Sequence, residues 1–258
     1  MTYEAVHATP DGDATLDRLV RTASEYGFEG VVVRNHGDAK PDGDLDAVAD
    51  TYGVDVVSGV EIRAEDPSRA SGFVGNHRET KTIVVVHGGT PELNRFAVEQ
   101  PAVDVLAHPM AGDGDVNHVL AKAAVENGVR FEFSFREILR ASGGDRVQAL
   151  RDLRKLRELV DAFDAPYVVS ADPRSHLHLR APRELVAVGE VIGFDAAAIE
   201  SGLAEWGEIA ERNRGIRSDE FVEPGVKVRS GDGTQSNDDN QSNDDNQSAD
   251  PHSNDDGE

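Results

Sequence analysis

Short runs of branched apolar residues recur along this chain, and each stops at an ionisable or polar group: GVVVRNH (30–36), TIVVVH (82–87), VDVLAHP (103–109) and YVVSAD (167–172). A strand that is apolar on both faces leaves no side for water, so it belongs in a parallel sheet covered by helices. Seven such strands are expected, over 3–7, 30–34, 56–62, 82–87, 104–107, 129–133 and 167–171. The stretches between them carry helical periodicity. In DATLDRLVRTASEYG (13–27), Leu16, Leu19, Val20 and Ala23 share one stripe and Gly27 ends it. The same reasoning predicts helices within 44–53, 115–128, 144–166, 181–193 and 195–215. Strand-then-helix repetition over a chain of this length predicts an α/β fold, an irregular TIM-type barrel of about seven parallel strands with surrounding helices. The eighth strand of a closed barrel is not visible, and a doubly wound open sheet is the alternative. The chain has no GxGxxG and no GxxxxGK[ST], which counts against a nucleotide-binding open sheet.

In a parallel barrel the C-terminal strand ends share one face, and chemistry sits there. Read in order, those ends are His7, Arg34 with His36, Glu61, His87, His108, Glu132 and Asp172. Imidazoles and carboxylates from several strands could ligate a divalent metal that activates water for phosphoester hydrolysis. Each histidine alone reads more simply as a hydrogen-bonded rim residue. With no cysteine, disulfides and thiolate metal sites are excluded.

Charge would ordinarily speak to the partner. There are 49 acidic residues against 26 basic ones, of which 21 are Arg and 5 Lys. Such a field repels phosphate in dilute buffer. In molar salt the Debye length falls to about 3 Å, so a hydrated acidic surface keeps a protein soluble without excluding a nucleic acid. Scarce lysine and dispersed aspartate favour this halophilic reading. The segment 230–258 has 9 acids, no Lys or Arg and the hexad QSNDDN twice in tandem, so it is expected to be a disordered acidic tail beyond a barrel spanning 1–229. No apolar run approaches the roughly 18 residues that span a bilayer, and a cytoplasmic protein is expected.

Taken together and in order, GFEGVVVRNH (27–36), GVEIRAEDP (59–67), VDVLAHP (103–109), VRFEFSFREIL (129–139), YVVSADPRSHLHLRAPREL (167–185), IGFD (192–195) and VEPGVKV (222–228) resemble the archaeal ribonuclease P component 3 family, related to the thirty-kilodalton subunit of the nuclear enzyme. GVEI and VLAHP also resemble the polymerase and histidinol phosphatase (PHP) barrels. The resemblance implies a non-catalytic subunit that supports the RNA of ribonuclease P in removing the 5′ leader of precursor tRNA. It implies component 2 as partner in a heterodimer that can dimerise again, alongside the other ribonuclease P proteins, and Mg²⁺ held by the RNA, with no cofactor in the chain itself. A PHP-type metal-dependent phosphoesterase is the alternative. The hydrolytic PHP pattern is incomplete: His7-Ala8-Thr9 replaces a His-x-His, Arg34-Asn35-His36 replaces an acidic cluster, and Ser170-Ala171-Asp172-Pro173 replaces SD-x-H. His36, Glu61, His87 and His108 remain as vestigial or alternative ligands, so no metal and no catalytic residue is expected.

An RNA surface is sought where arginines gather, because a planar guanidinium fork matches phosphate. The first candidates are Arg34 and His36 together with Arg174, His176, His178, Arg180 and Arg183. The second place is 135–157, with Arg136, Arg140, Arg146, Arg151, Arg154, Lys155 and Arg157, where acids at 145, 152 and 158 suit ordinary helical pairing. Aromatics are sparse, so contacts to structured RNA backbone are expected over stacked bases.

Overall fold

The computed structural model describes residues 1–37, 39–217, 221–223 and 226–227. Seven strands, β1 (Tyr3–Val6), β2 (Gly30–Val33), β3 (Asp55–Ile62), β4 (Ile83–His87), β5 (Val105–Ala107), β6 (Arg130–Ser134) and β7 (Tyr167–Ser170), pair in parallel in chain order. The helices are α1 (Leu16–Glu25), α2 (Leu45–Tyr52), α3 (Pro67–Arg78), α4 (Pro91–Val98), α5 (His118–Asn127), α6 (Arg136–Arg140), α7 (Gly143–Phe163), α8 (Pro182–Ile192) and α9 (Ala196–Arg217), with a 3₁₀ turn at His176–His178. No helix among the described residues is long and apolar enough to cross a membrane.

The sheet curls into a nearly closed barrel with two apolar fillings. Val31, Val33, Val60, Val84, Leu106, Phe131 and Val169 face the helices, whereas Ala5, Val32, Val57, Val85, Val105 and Val168 alternate with them and fill the interior. That alternation is the period of two of a pleated strand. β1 and β7 meet without a ladder. Their seam is joined by His7 N donating to Pro173 O (3.1 Å) and by the buried carboxylate of Glu4, which accepts from Ser170 Oγ at 2.6 Å and from Ala171 N at 3.2 Å.

α9 takes the place an eighth strand would fill. Trp206, wholly buried at the barrel floor, donates Nε1–H to Val169 O at 2.9 Å. Gly202 lets the helix close on β7, since a Cβ there would lie 2.6 Å from Val169 Cγ2. The last turns cross the N-terminal strand ends, where Asn213 Nδ2 donates to Thr82 O at 2.8 Å and Arg214 pairs with Asp55 at 2.8 Å.

α3, α4 and the short α6 are absent from the expected helices. The α3 sequence PSRASGFVGNHR holds two Gly, two Ser and an Asn, and buries only Ala70 and Val74, so its apolar stripe is too thin to detect. It starts because Asp66 caps Arg69 N at 2.9 Å and Pro67 opens the first turn. In a second unit, beyond Ser218, Phe221–Glu223 and Val226–Lys227 pair antiparallel. The expected tail at 230–258 lies outside the described residues.

Candidate functional site

The interior alternation continues past the apolar layers into a polar one. Two residues beyond Ala5 stands His7; two and four beyond Val32 stand Arg34 and His36; four beyond Val57 stands Glu61; two beyond Val85 stands His87; four beyond Val168 stands Asp172. Glu132 enters from β6. One bowl therefore collects them, as the strand-end pattern predicts. His108 and Asp172 leave the extended path at φ 49° and 47°, and their side chains meet, Nε2 to Oδ2, at 3.6 Å.

Arg34 is the centre of this layer. Its guanidinium is fully buried, 2.7 Å from Glu132, 3.1 Å from Asp172 and 3.5 Å from Glu61, and its carbon sits 5.7 Å from the centre of the Trp206 ring. Burial works against its charge, but Glu132, Glu61 and Asp172 together hold it firmly protonated. Burial likewise works against ionisation of Glu61 and Asp172. For Glu61, Arg34 and the imidazoles of His36, His7 and His87 more than offset this; for Asp172, His7 and Arg34 do so, and both carboxyls stand well below the usual range. Glu132 is pushed the other way, by burial and by the charges of Asp172 and Glu61. One guanidinium thus serves three carboxylates.

Above this layer lie the imidazoles. Glu61 Oε1 faces His87 Nδ1 (2.5 Å) and His36 Nε2 (3.2 Å), while Oε2 faces His7 Nε2 (3.4 Å). Asp11 reaches both His7 Nδ1 and His36 Nδ1 at 2.7 Å. It can do so because the loop lies tight on β1: a Cβ on Gly12 would be 1.9 Å from His7 O. Burial opposes a charge on His7, yet bonds to Asp11, Asp172 and Glu61 raise it to about 9. Burial holds His108 down at about 4.

The expected ligand set His36, Glu61, His87 and His108 does converge, but as two overlapping triads, His7–His36–Glu61 and Glu61–His87–His108, that share Glu61. The donor types suit a divalent ion. Arg34 at 3.5 Å from the shared carboxylate does not, because it places a permanent positive charge beside the point where a cation would sit. Asp11 escaped sequence reasoning; its only signal was an acid four residues after a strand-end histidine.

Of the expected RNA-facing residues, Arg34 is corrected outright: at 0 % exposure its charge is spent inside the barrel. His36, 12 % exposed, is held by Asp11 and Glu61. Arg174 leans over it, Nη2 to Nδ1 3.2 Å, and donates to Asp11 O at 3.4 Å. The 3₁₀ turn carries His176 and His178 and thrusts Leu177 out at 73 % exposure. Arg180 ties that turn down through Leu177 O (3.2 Å) and Leu179 O (2.7 Å). Arg183 is exposed on the first turn of α8.

The fold joins two arginine-rich segments that are far apart in sequence. Arg136 reaches Asp172 Oδ2 at 3.4 Å and Arg140 donates to Asp172 O at 3.2 Å. Burial, and then repulsion from Arg136 and Arg180, weakens the hold of Arg140 on its proton. Burial followed by Arg140 and Arg136 does the same to His178. These groups crowd beside a bowl of about 560 Å³ lined by His7, Glu61, His87, His108, Arg136 and Arg174 among others. Farther along α7 three basic residues are engaged structurally, Lys155 with Asp115 (2.5 Å), Arg157 with Asp161 (2.6 Å) and Arg154 with Val191 O (2.8 Å), whereas Arg146 and Arg151 are exposed.

Comparison with known proteins gives the family and the fold. The family model described as RNase P subunit p30 matches residues 1–218. A ribonuclease P protein component 3 from Natronomonas pharaonis is 66 % identical over 231 residues, covering 90 % of this chain and 97 % of the relative. One from Haloarcula marismortui is 62 % identical over 226 residues, covering 88 % and 96 %. Among solved structures, a chain in the cryo-EM structure of archaeal ribonuclease P with mature tRNA has the same fold, with TM-score 0.75 at 24 % identity, over 90 % of this chain and all of that one. A histidinol phosphate phosphatase from Lactococcus lactis, complexed with zinc, L-histidinol and phosphate, shares the fold at TM-score 0.51 and 12 % identity, over 75 % and 94 %.

Proposed function

Since the chain belongs to the RNase P subunit p30 family, we propose that its part in the enzyme is to present the arginine cluster at the strand-end face to the backbone of the ribonuclease P RNA. The chain is a protein subunit of ribonuclease P, the ribonucleoprotein that removes the 5′ leader of precursor tRNA, and the RNA carries the chemistry. The observation that carries the interface reading is the gathering of Arg136, Arg140, Arg180 and His178, whose nearby acids are the already shared Asp172, Glu137 at 3.9 Å from Arg136, Asp13 and the buried Glu4. Crowded cations lose free energy to one another, and a phosphate placed among them relieves that repulsion. The Leu177 turn beside them offers an apolar contact for a sugar or a protein neighbour.

Component 2 is the expected protein partner, with Mg²⁺ bound by the RNA and a cytoplasmic location. A second reading is favoured by one observation, the two triads sharing Glu61. It would make the bowl a divalent-metal phosphoesterase. Arg34 speaks against it, because the guanidinium neutralises the bridging carboxylate from within.

The test is reconstitution in molar salt: precursor-tRNA cleavage by the cognate RNA and the remaining proteins, with and without this chain. Cleavage at the mature 5′ end is expected to rise only when RNA and protein are combined. Arg136→Ala with Arg180→Ala is expected to weaken assembly about tenfold, in line with the loss of phosphate contacts. Metal-dependent turnover of a simple phosphoester by the chain alone would overturn the subunit reading in favour of the second.

A further inference from the structure

The opposite pole of the barrel holds a second concentration of cations. Asp104, buried just before β5, accepts from Val84 N at 2.8 Å, Arg78 Nη1 at 2.6 Å, Arg212 Nη2 at 2.9 Å and Asn213 Nδ2 at 2.9 Å. Arg78 is fully engaged, donating also to the carbonyls of Ala102, Lys81 and Thr82. Arg217 donates to the carbonyls of Arg78 and Lys81 from one of its nitrogens. Arg212 is 43 % exposed. Arg78, Arg212 and Arg217 thus gather at a single buried carboxylate. Burial, then repulsion from Arg130 and Arg78, weakens the proton affinity of Arg212, and burial and Arg78 do so for Arg217.

These side chains wall an open cleft of about 860 Å³ in which the acids are Asp104, already saturated with donors, and the exposed Glu79. In a chain of net charge −23 such a surplus of cations runs against the whole-molecule bias. The cleft has no aromatic lining, so it offers neither a base-stacking platform nor the aromatic anchor common at the centre of protein interfaces. What it offers is the partly free guanidinium forks of Arg212 and Arg217 on the last turns of α9, a group whose planar fork matches phosphate.

We propose that this cleft is a second RNA-backbone contact, seating phosphates of the ribonuclease P RNA on the face opposite the strand-end surface. The proposal rests on the subunit reading and deepens it: the barrel touches RNA at both poles, and α9 forms much of the second site.

The full chain would be titrated onto a ribonuclease P RNA transcript together with the other ribonuclease P proteins, across a KCl series. Arg212→Gln with Arg217→Gln is expected to weaken binding about tenfold and to lower the slope of log K against log salt by about two, one per phosphate lost. Glutamine at 212 keeps a donor for Asp104, and the thermal midpoint serves as the folding control. Should the double variant unfold, Arg217→Gln alone leaves the bonds to Asp104 in place and is expected to lower the slope by about one. Arg212→Lys with Arg217→Lys is expected to retain the wild-type slope. An unchanged slope in a folded glutamine variant overturns the proposal. So does a variant that loses its protein partners at an unchanged RNA slope, which would make this face a protein contact. If the wild-type chain itself adds nothing to RNA binding, the subunit reading fails; if wild type binds and the variant binds identically, only this cleft does.

Discussion

Glu4 shows how one buried carboxyl can close a barrel. It bridges β1 to β7 where no ladder exists, and it has no exposure to water. Burial pushes its carboxyl from 4.5 up to about 7, although bonds from Ser170, Ala171 and Ala5 and the charge of Arg34 pull it back. Such a group binds its proton more tightly when folded than when unfolded. Its contribution is therefore complete below pH 4.5 and is lost as pH rises through about 7. Glu4→Gln keeps an acceptor for Ser170 and Ala171 and removes the titration. It is expected to flatten the fall in unfolding free energy across that window, by a few kcal/mol in total at about 1.4 kcal/mol per pKa unit. Denaturant melts from pH 4 to 8 check this, and a variant with the wild-type slope would place the titration elsewhere. His7 adds a later loss of the same sign, through about 9, whereas Glu61 and Asp172 withdraw stability only when acid protonates them.

At the scale of elements, α9 was legible as a helix but not as a barrel part. Its AAAIESGLAEWGEIAERNRGIR sequence has ordinary helical composition, and its buried residues Ile199, Leu203, Trp206, Ile209 and Ala210 read as a plain amphipathic face. Only packing shows why Gly202 interrupts that face: β7 lies there, with Val169 Cγ2 2.6 Å and Tyr167 Cε2 2.9 Å from where a Cβ would stand. Gly202→Val is expected to destabilise the fold by about 1–3 kcal/mol through overpacking, read as a lower urea midpoint. A midpoint equal to or above that of wild type would mean α9 does not press on β7 as described. Most of the strands were legible because they are dense apolar runs, while YEAV and RFEFS were legible from the alternation of aromatic or apolar with ionisable residues. α3 was not, because its caps and its contact with the sheet do the work its composition does not.

Across the whole molecule acid outnumbers base, yet a group of arginines stands at each end of the barrel, Arg136, Arg140 and Arg180 at one and Arg78, Arg212 and Arg217 at the other. Unscreened, a net charge of −23 works against the compact state. Raising salt from about 0.1 M to 1 M shortens the Debye length from about 10 Å to about 3 Å, so the melting temperature is expected to climb steeply with KCl over that range and more slowly above it. A melting temperature indifferent to KCl would show that the acidic surface does not limit folding. Relatives from halophiles are consistent with that surface. The sequence by itself determined the strands, most of the helices and the strand-end side chains of the bowl, because period-two alternation assigns a face to every residue of a buried strand regardless of what packs around it. It did not determine Asp11, which lies in a loop. Only the tertiary structure decided what those side chains do. Barrel closure set three carboxylates around the inward-facing Arg34 and brought Arg136 and Arg140 to Arg180. Both outcomes depend on contacts between residues distant in the chain, and no local pattern encodes such distances.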